Sequence, residues 1–569
     1  MDTVCQNIWL HLNQVPVKPL PENLLPGREA LTFGAVVQHF TDSAPAKTVN
    51  LGNLGIEDET YLASLGISPA HLIRNLKETL VGRHLDPLGY QLKVVRSKSI
   101  DAFCPFSGKH VVSRQSLLAN INVIFYRFES EQVFYVATAG IGSGFKKSAV
   151  YFPQHDLIVS DGDEWGLQHD DLIELKARMV CGAGACYEYL SDPDPKGRKL
   201  AVCLGFYHFA HHLWNELSGL HKLYKRDLLQ NVDKFLVLRE PLGPIEQIFP
   251  EIPENKIERK QTTDDLFYEI LEKGYFAIRV GDDYLAGDLA SRVANVSLAN
   301  CLPATLAMVK EAKSKYHPLL WVGIRVGNRA WIDQIDGLTN VIASLRKEFP
   351  TLGVVFDGFS LPSDKSAESN EELGYSKILA DENEIVDGIV ENLHQRQLSG
   401  GIFNIIGLSI SDANVWAHAI DVYVSPYGSL QHKVGWFTNK RGVVHTNRTL
   451  LENPASYVWA NVENGIPPHY IALACVTDYQ SPSEERLAYN AIEDATESGA
   501  GIQAANRRVR DNPEFNNYSI AWEGLHHDLF NLLRSSKTKN GMARLLLTNW
   551  VKRKVRLTVR SITNVLSWR

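Results

Sequence analysis

The stretch "PLLWVGIRVGNRAWIDQIDGLTNVIASLRKEFPTLGVVFDGF", residues 318–359, decides the fold. It reads as strand (318–327), helix (335–350) and strand (352–359), and neither strand shows the alternation of one with a solvated face. Apolar strands without period two belong to parallel sheets covered on both sides. The pattern continues through a polar loop (360–377), an acidic-started helix (381–397), a strand "FNIIGLSI" and a helix "SDANVWAHAI" capped by Ser411 or Asp412. A strand "DVYVSPYGS", a helix "LQHKVGWFTNK" and a strand "RGVVHTN" complete it. Five such steps predict a Rossmann-like unit.

The same alternation runs upstream. "RKLAVCLGF", "KFLVLRE" and "YFAIRVG" read as strands, with helices at "HHLWNELSGLHKLYKR" and "GPIEQIFPEI" between them. The expected α/β architecture is therefore two Rossmann-like lobes, residues 196–316 and 317–480, facing a cleft, followed by helices over 481–535. Residues 1–195 read as a mixed α+β region, with helical periodicity in "ETYLASLGISPAHLIRNLKETLVG" and a hairpin in "SLLANINVIFYRFESEQVFYVATAG".

At 569 residues, several domains are expected. No apolar stretch approaches the roughly 18 to 20 residues of a membrane span, and no secretory leader is evident. Seven cysteines lack metal-ligand spacing, "CGAGAC" (181–186) having no partner pair, and fit a reduced cytosolic compartment. From Arg534 onward there are ten Lys or Arg and no acid; with a total of −7, the rest of the chain carries −17. So acidic a body argues against a nucleic-acid binder. No GxGxxG or GxxxxGK[ST] fingerprint is present, which weakens dehydrogenase and P-loop readings.

Ligands of open parallel sheets bind beyond the strands' carboxyl ends. Three segments belong there. In "GFYHFAHHLWNELSGL" (205–220), His211 and Asn215, and His212 and Glu216, are four apart and share helix faces. A neutral His211 or His208 can take a proton from a hydroxyl, with Glu216 fixing a tautomer; His212 and Asn215 are candidate acceptor contacts. In "GIRVGNRAW", Arg325, Asn328 and Arg329 suit phosphate oxygens. In "VYVSPYGSLQHKVGWFTNKRGVVHTN", Gly428 and Ser429 open a helix able to cradle a diphosphate, and His432 and Lys433 lie in its first turn. Ordinary structural roles compete at each place: hydrogen bonds inside a helix–sheet interface, ion pairs, solvated lysine.

Taken together, the three motifs resemble bacterial polysaccharide-biosynthesis glycosyltransferases of GT-B architecture. The likeness is to the capsular-polysaccharide type with an H-W-L-x-[DE]-E-L-P segment, here "HHLWNELSG", which matches His211 and Glu216 to the motif's histidine and glutamate. "YGSLQH" resembles the family's G-A-G-L-x-N region and the D-[ST]-G-x-x-H turn of heptosyltransferases, with His432 on that histidine. Ser218 replaces the motif proline, and Tyr427 the acidic residue before the glycine turn. The resemblance spans about residues 196–450. It implies sugar transfer from a nucleotide-sugar co-substrate to a hydroxyl of a glycan or lipid-linked acceptor in capsule or lipopolysaccharide assembly, without bound metal or other cofactor. Arg325, Arg329 and the Gly428–Ser429 turn would stabilise the leaving nucleotide, and His211 or His208 the acceptor's proton loss.

The terminal segment "GMARLLLTNWVKRKVRLTVRSITNVLSWR" (541–569), within a basic tail from 536, puts Leu547, Val551, Val555, Val559, Ile562 and Leu566 on one helical face and basic residues on the rest. With Trp550 and Trp568 it reads as an anchor on an anionic membrane surface, placing the protein peripherally on the cytoplasmic face. Competing functions are another two-lobe nucleotide-sugar enzyme, such as an epimerase or phosphorylase, and a non-catalytic scaffold of a polysaccharide-assembly complex.

Overall fold

A computed structural model describes residues 2–13, 31–80, 89–140, 145–162, 166–192, 195–363, 375–455, 457–479 and 512–537. The basic tail beyond 537 and all of 480–511 lie outside them.

The N-terminal region contains β1 (Lys47–Asn50), the hairpin β2 (Ile100–Phe103) and β3 (His110–Ser113), and then β4 (Ser116–Asn120), β5 (Val123–Glu129), β6 (Val133–Ala139), β7 (Lys146–Phe152) and β8 (Leu157–Ser160). Six of these form one sheet in the order β1-β8-β7-β6-β5-β4, antiparallel except for β1 with β8. The stretch expected as one hairpin makes three strands, because Asn120 closes a turn at Ile121-Asn122 by accepting the Asn122 N–H at 2.9 Å. The periodic segment before it is two helices, Ile56–Ser64 and Pro69–Leu80, divided where Gly66 adopts φ 71° and Pro69 restarts the chain.

β9 (Leu200–Leu204), β10 (Lys234–Val237), β11 (Ile257–Arg259) and β12 (Phe276–Ile278) form a parallel sheet in the order β11-β10-β9-β12. Its edge β12 meets β4, where the Ala277 N–H donates to Ser116 Oγ at 2.7 Å. The N-terminal sheet and this one share a single hydrophobic core, so the compositional boundary near 195 is no break in packing.

The second parallel sheet comprises β13 (Leu319–Gly323), β14 (Gly353–Asp357), β15 (Ile402–Asn404), β16 (Val422–Pro426), β17 (Arg441–His445) and β18 (His469–Tyr470). Their order, β15-β14-β13-β16-β17-β18, is the doubly wound 3-2-1-4-5-6 arrangement. Leu320 and Val322 enter the core on one face, Leu319 and Trp321 that on the other. Burial on both faces is why the run lacks polar alternation. β18 extends the five expected strands to six. Ser409, rather than Ser411 or Asp412, caps the helix Ile410–Ala419 by accepting the Asp412 N–H; Asp412 Oδ1 instead accepts the Leu302 N–H at 2.9 Å. The helix expected from Asp381 already begins at Tyr375. A further pair, β19 (Val476–Tyr479) and β20 (Asn517–Ile520), is antiparallel and leads into the helix Trp522–Lys537.

Helix Gly287–Asn300 bridges the two parallel sheets by packing on Ile410–Ala419, with Asn414 Nδ2 donating to Ser297 Oγ at 3.0 Å. The Ser363 N–H donates across to the Pro241 carbonyl at 3.0 Å.

Candidate functional site

Two adjoining cavities open beyond the carboxyl ends of the strands. One, about 470 Å³, is lined by Arg325, Val326, Asn328, Phe359, Ile378, Glu382, Ser429 and Leu430. It lies where the strand order reverses between β13 and β16, the place a doubly wound sheet offers a ligand. The other, about 640 Å³, draws Tyr207, His208, Phe209 and Pro241 from the first parallel sheet, and Phe359, Tyr375, Ile410, Ser429 and Lys433 among others from the second. Phe359, Ser429 and Leu430 line both.

The histidine segment enters through a short α turn, Phe209–His211, a π-helical stretch His212–Leu217, and the α-helix Ser218–Lys225. Single π turns recur at functional sites because the added residue re-aims side chains. His208, which lines the second cavity, and His211, its ring 5.5 Å away and outside both linings, differ in tautomer. His208 Nδ1 accepts the Ala210 N–H at 3.2 Å, so Nε2 carries the proton and donates. His211 Nδ1 lies 2.9 Å from Asn215 Oδ1, whose amide nitrogen donates to the Asp282 carbonyl at 3.0 Å. That amide orientation makes His211 Nδ1 the donor and leaves Nε2 with a lone pair. Burial, then His211, Lys433 and Arg325, push His208 down to about 3. Burial likewise lowers His211, with Asn215 and Glu216 partly opposing. Both rings are neutral at pH 7: His211 is equipped to accept a proton, His208 to donate a hydrogen bond.

The other polar residues of this segment are sealed. His212, Asn215 and Glu216 are fully buried. Glu216 accepts the backbone N–H groups of Gly205 and Phe206 at 2.8 and 3.1 Å, pairs with Arg279, and faces His212 Nδ1 at 2.8 Å. Burial pushes its carboxyl up, but Arg279 and His212 overrule this and hold it below the ordinary range. Arg279, just past β12, lies against the stacked pair Phe145 and Phe206, 4.1 and 4.6 Å from their centroids. The catalytic role expected of Glu216 and the acceptor contacts expected of His212 and Asn215 do not fit these positions. Glu216 pins the loop after β9, and Asn215 orients His211.

On the second sheet, Arg325 lies two residues beyond β13. Its Nε and Nη2 donate to Asn328 O and Oδ1, both at 2.7 Å, which leaves Nη1 directed toward Gly428. Asn328 thus orients the guanidinium and also receives Arg329 Nε at 3.3 Å. Arg329, at φ 49°, packs on Phe515 and lines neither cavity. Gly428 adopts φ 115° and ψ −151°, a conformation open only to glycine. It starts the helix Ser429–Gly435 with no side-chain cap; Ser429 and Leu430 line both cavities, while the Gln431 N–H donates to the Gly428 carbonyl at 3.0 Å. Two residues expected to touch phosphate are otherwise engaged. Lys433 Nζ donates to both Asp357 oxygens (2.9 and 3.0 Å), to Gly358 O and to Ser360 Oγ, fastening the end of β14. His432 is stacked on Trp436 at 3.7 Å and 3° and bonds Gln431 Oε1, outside both cavity walls. Trp436 in turn meets Trp214 at 5.3 Å, and Phe437 meets Phe209 at 6.0 Å, so the two sheets touch ring to ring beneath the cavities.

Glu382 escaped the sequence reading. Its signal was present: Ile378, Glu382, Val386, Ile389 and Leu393 repeat at helical spacing, which puts one acid on an otherwise apolar, buried stripe. Among the described residues no group of three or more His, Cys, Asp or Glu is arranged to hold a metal ion.

No protein-family model matches the chain, and no curated protein matches it. Solved structures to which it is similar include a glycosyl transferase family 9 protein from Veillonella parvula, at 11% identity over 43% of this chain and 80% of that one, with a TM-score of 0.24. A trehalose 6-phosphate synthase from Burkholderia multivorans matches at 10% identity over 68% and 86%, TM-score 0.25. Anabaena HepE, in complex with UDP and glucose, matches at 11% over 63% and 76%, TM-score 0.20. Superpositions this loose leave the site to be read from its own atoms.

Proposed function

We propose that this chain is a metal-independent glycosyltransferase of GT-B architecture, moving a sugar from a nucleotide-sugar donor to a hydroxyl of a glycan or lipid-linked acceptor in bacterial surface polysaccharide synthesis. One observation carries the reading. A free guanidinium N–H and an uncapped helix start on one parallel sheet adjoin a cavity that receives His208, with the His211 ring 5.5 Å behind it, from a second parallel sheet. In this reading Arg325 Nη1 and the Ser429 and Leu430 N–H groups stabilise the negative charge that gathers on the leaving diphosphate. His211 Nε2 takes the acceptor hydroxyl's proton as that oxygen attacks the anomeric carbon, and His208 Nε2–H orients the acceptor. Asn215 keeps the His211 lone pair available.

The test is transfer from labelled nucleotide sugars by the purified chain, its donor first chosen by thermal shift. Bound ligand at a hundredfold over Kd stabilises by about 2.7 kcal/mol, which such a scan detects. His211→Ala and Arg325→Ala are expected to remove transfer while the far-ultraviolet spectrum stays native. Undiminished transfer in both variants overturns the site.

A further inference from the structure

The 470 Å³ cavity holds a guanidinium and a carboxyl group that do not pair. Arg325 is 8% exposed and Glu382 4% exposed; both line this cavity, and among the described residues neither forms an ion pair. Glu382 Oε2 accepts the Phe359 N–H at 2.6 Å, whereas Oε1 has no hydrogen-bond partner among the described residues. A Cβ at Gly358 would overlap this carboxyl, so glycine there lets the β14 end close over it. Burying the Arg325 charge without a counter-ion is costly, and so is burying a carboxyl oxygen without a hydrogen-bond partner. A ligand that is anionic at one end and rich in hydroxyl donors at the other satisfies both at once. Phe359, Ile378 and Leu430 supply apolar walls between them.

We propose that Glu382 is a specificity-determining residue, its free Oε1 accepting a hydrogen bond from a hydroxyl of a bound molecule whose anionic group is held by Arg325. This rests on the nucleotide-sugar reading of the site and deepens it: a bare diphosphate fills half of the recognition, and a diphosphate carrying a polyhydroxylated ring fills all of it. The charged groups facing Glu382 are Arg325 beyond β13, Asp357 at the end of β14, and Lys433 on the helix Ser429–Gly435, the last two bonded to each other. Burial lifts the Glu382 carboxyl to about 8, against the lowering effects of the Phe359 N–H, Lys433 and Arg325. The free protein therefore holds this proton at pH 7. A donating hydroxyl favours the ionised form, so binding at pH 7 expels the proton and binding well above pH 8 does not.

Titration calorimetry of the full chain with inorganic pyrophosphate and with UDP-, GDP- and ADP-glucose tests this. For the tightest nucleotide sugar, Glu382→Gln is expected to weaken binding at least tenfold while pyrophosphate affinity changes less than threefold; Arg325→Ala weakens both. Wild-type titrations at pH 7 in two buffers of different ionisation enthalpy are expected to show net proton release on nucleotide-sugar binding. This second readout needs no variant to fold. Unchanged affinity in Glu382→Gln, or proton uptake by the wild type, overturns the role of Glu382 alone. Failure of the wild-type chain to bind any of the four probes overturns the reading of the cavity, and this inference with it.

Discussion

Replacing Asn215 by leucine isolates the device that sets the His211 tautomer. The side chain keeps its bulk but loses two contacts: the 2.9 Å bond to His211 Nδ1 and the 3.0 Å bond to the Asp282 carbonyl. As His211 takes a proton, its Nδ1–H bond to Asn215 becomes charge-assisted, worth about 1.5–3 kcal/mol. At 1.36 kcal/mol per tenfold, its loss lowers kcat about 10- to 150-fold. Stability falls by a further ~1–3 kcal/mol, because the Asp282 carbonyl is left buried and unpaired. The pH profile carries the discriminating sign. Burial already holds His211 below its ordinary value, and the Asn215 bond is what raises it; in Asn215→Leu the acid limb of kcat therefore moves to lower pH. The assay is transfer rate against pH at saturating donor and acceptor. An acceptor KM that rises with kcat within twofold of wild type, and an unmoved acid limb, would refute the reasoning and return Asn215 to the acceptor role that its spacing first suggested.

Glu216→Ala leaves Arg279 buried without its carboxylate and is expected to cost about 3–5 kcal/mol in urea unfolding; a loss below 1 kcal/mol would mean that the pair does not pin the β9 loop. Gly428→Ala places a side chain at φ 115° and is expected to lose about 1–3 kcal/mol of stability and to weaken pyrophosphate binding, measured by unfolding and by calorimetry. Truncation after Ser535 is expected to free the protein from liposomes containing anionic lipid; continued flotation with them contradicts the proposed anchor.

The strands at 319–323, 353–357, 422–426 and 441–445 were legible because burial on both faces writes an uninterrupted apolar run. β11 was not, since Ile-Glu-Arg is too short and polar to stand out. At the site, the spacing of His211 and Asn215 correctly joined them, yet identical spacing joined His212 to Glu216 in the sealed interior. Helical periodicity reports which residues share a face and is silent on whether that face meets a cavity or a neighbouring strand. Lys433 fails for the same reason: its place in a first helical turn suits phosphate, but Asp357, 76 residues away, claims it first. Only tertiary structure supplies such distant partners.

The face-to-face imidazole and indole at 432 and 436, with Trp214 across the seam, bear on how movement in this molecule can be watched. Any widening between the parallel sheets must first pull two indoles apart, and a neutral imidazole lying flat on one of them alters its emission. The protein thus carries an intrinsic optical gauge of its own aperture, readable in label-free fluorescence against a Trp214→Phe control while donor and acceptor are added in turn.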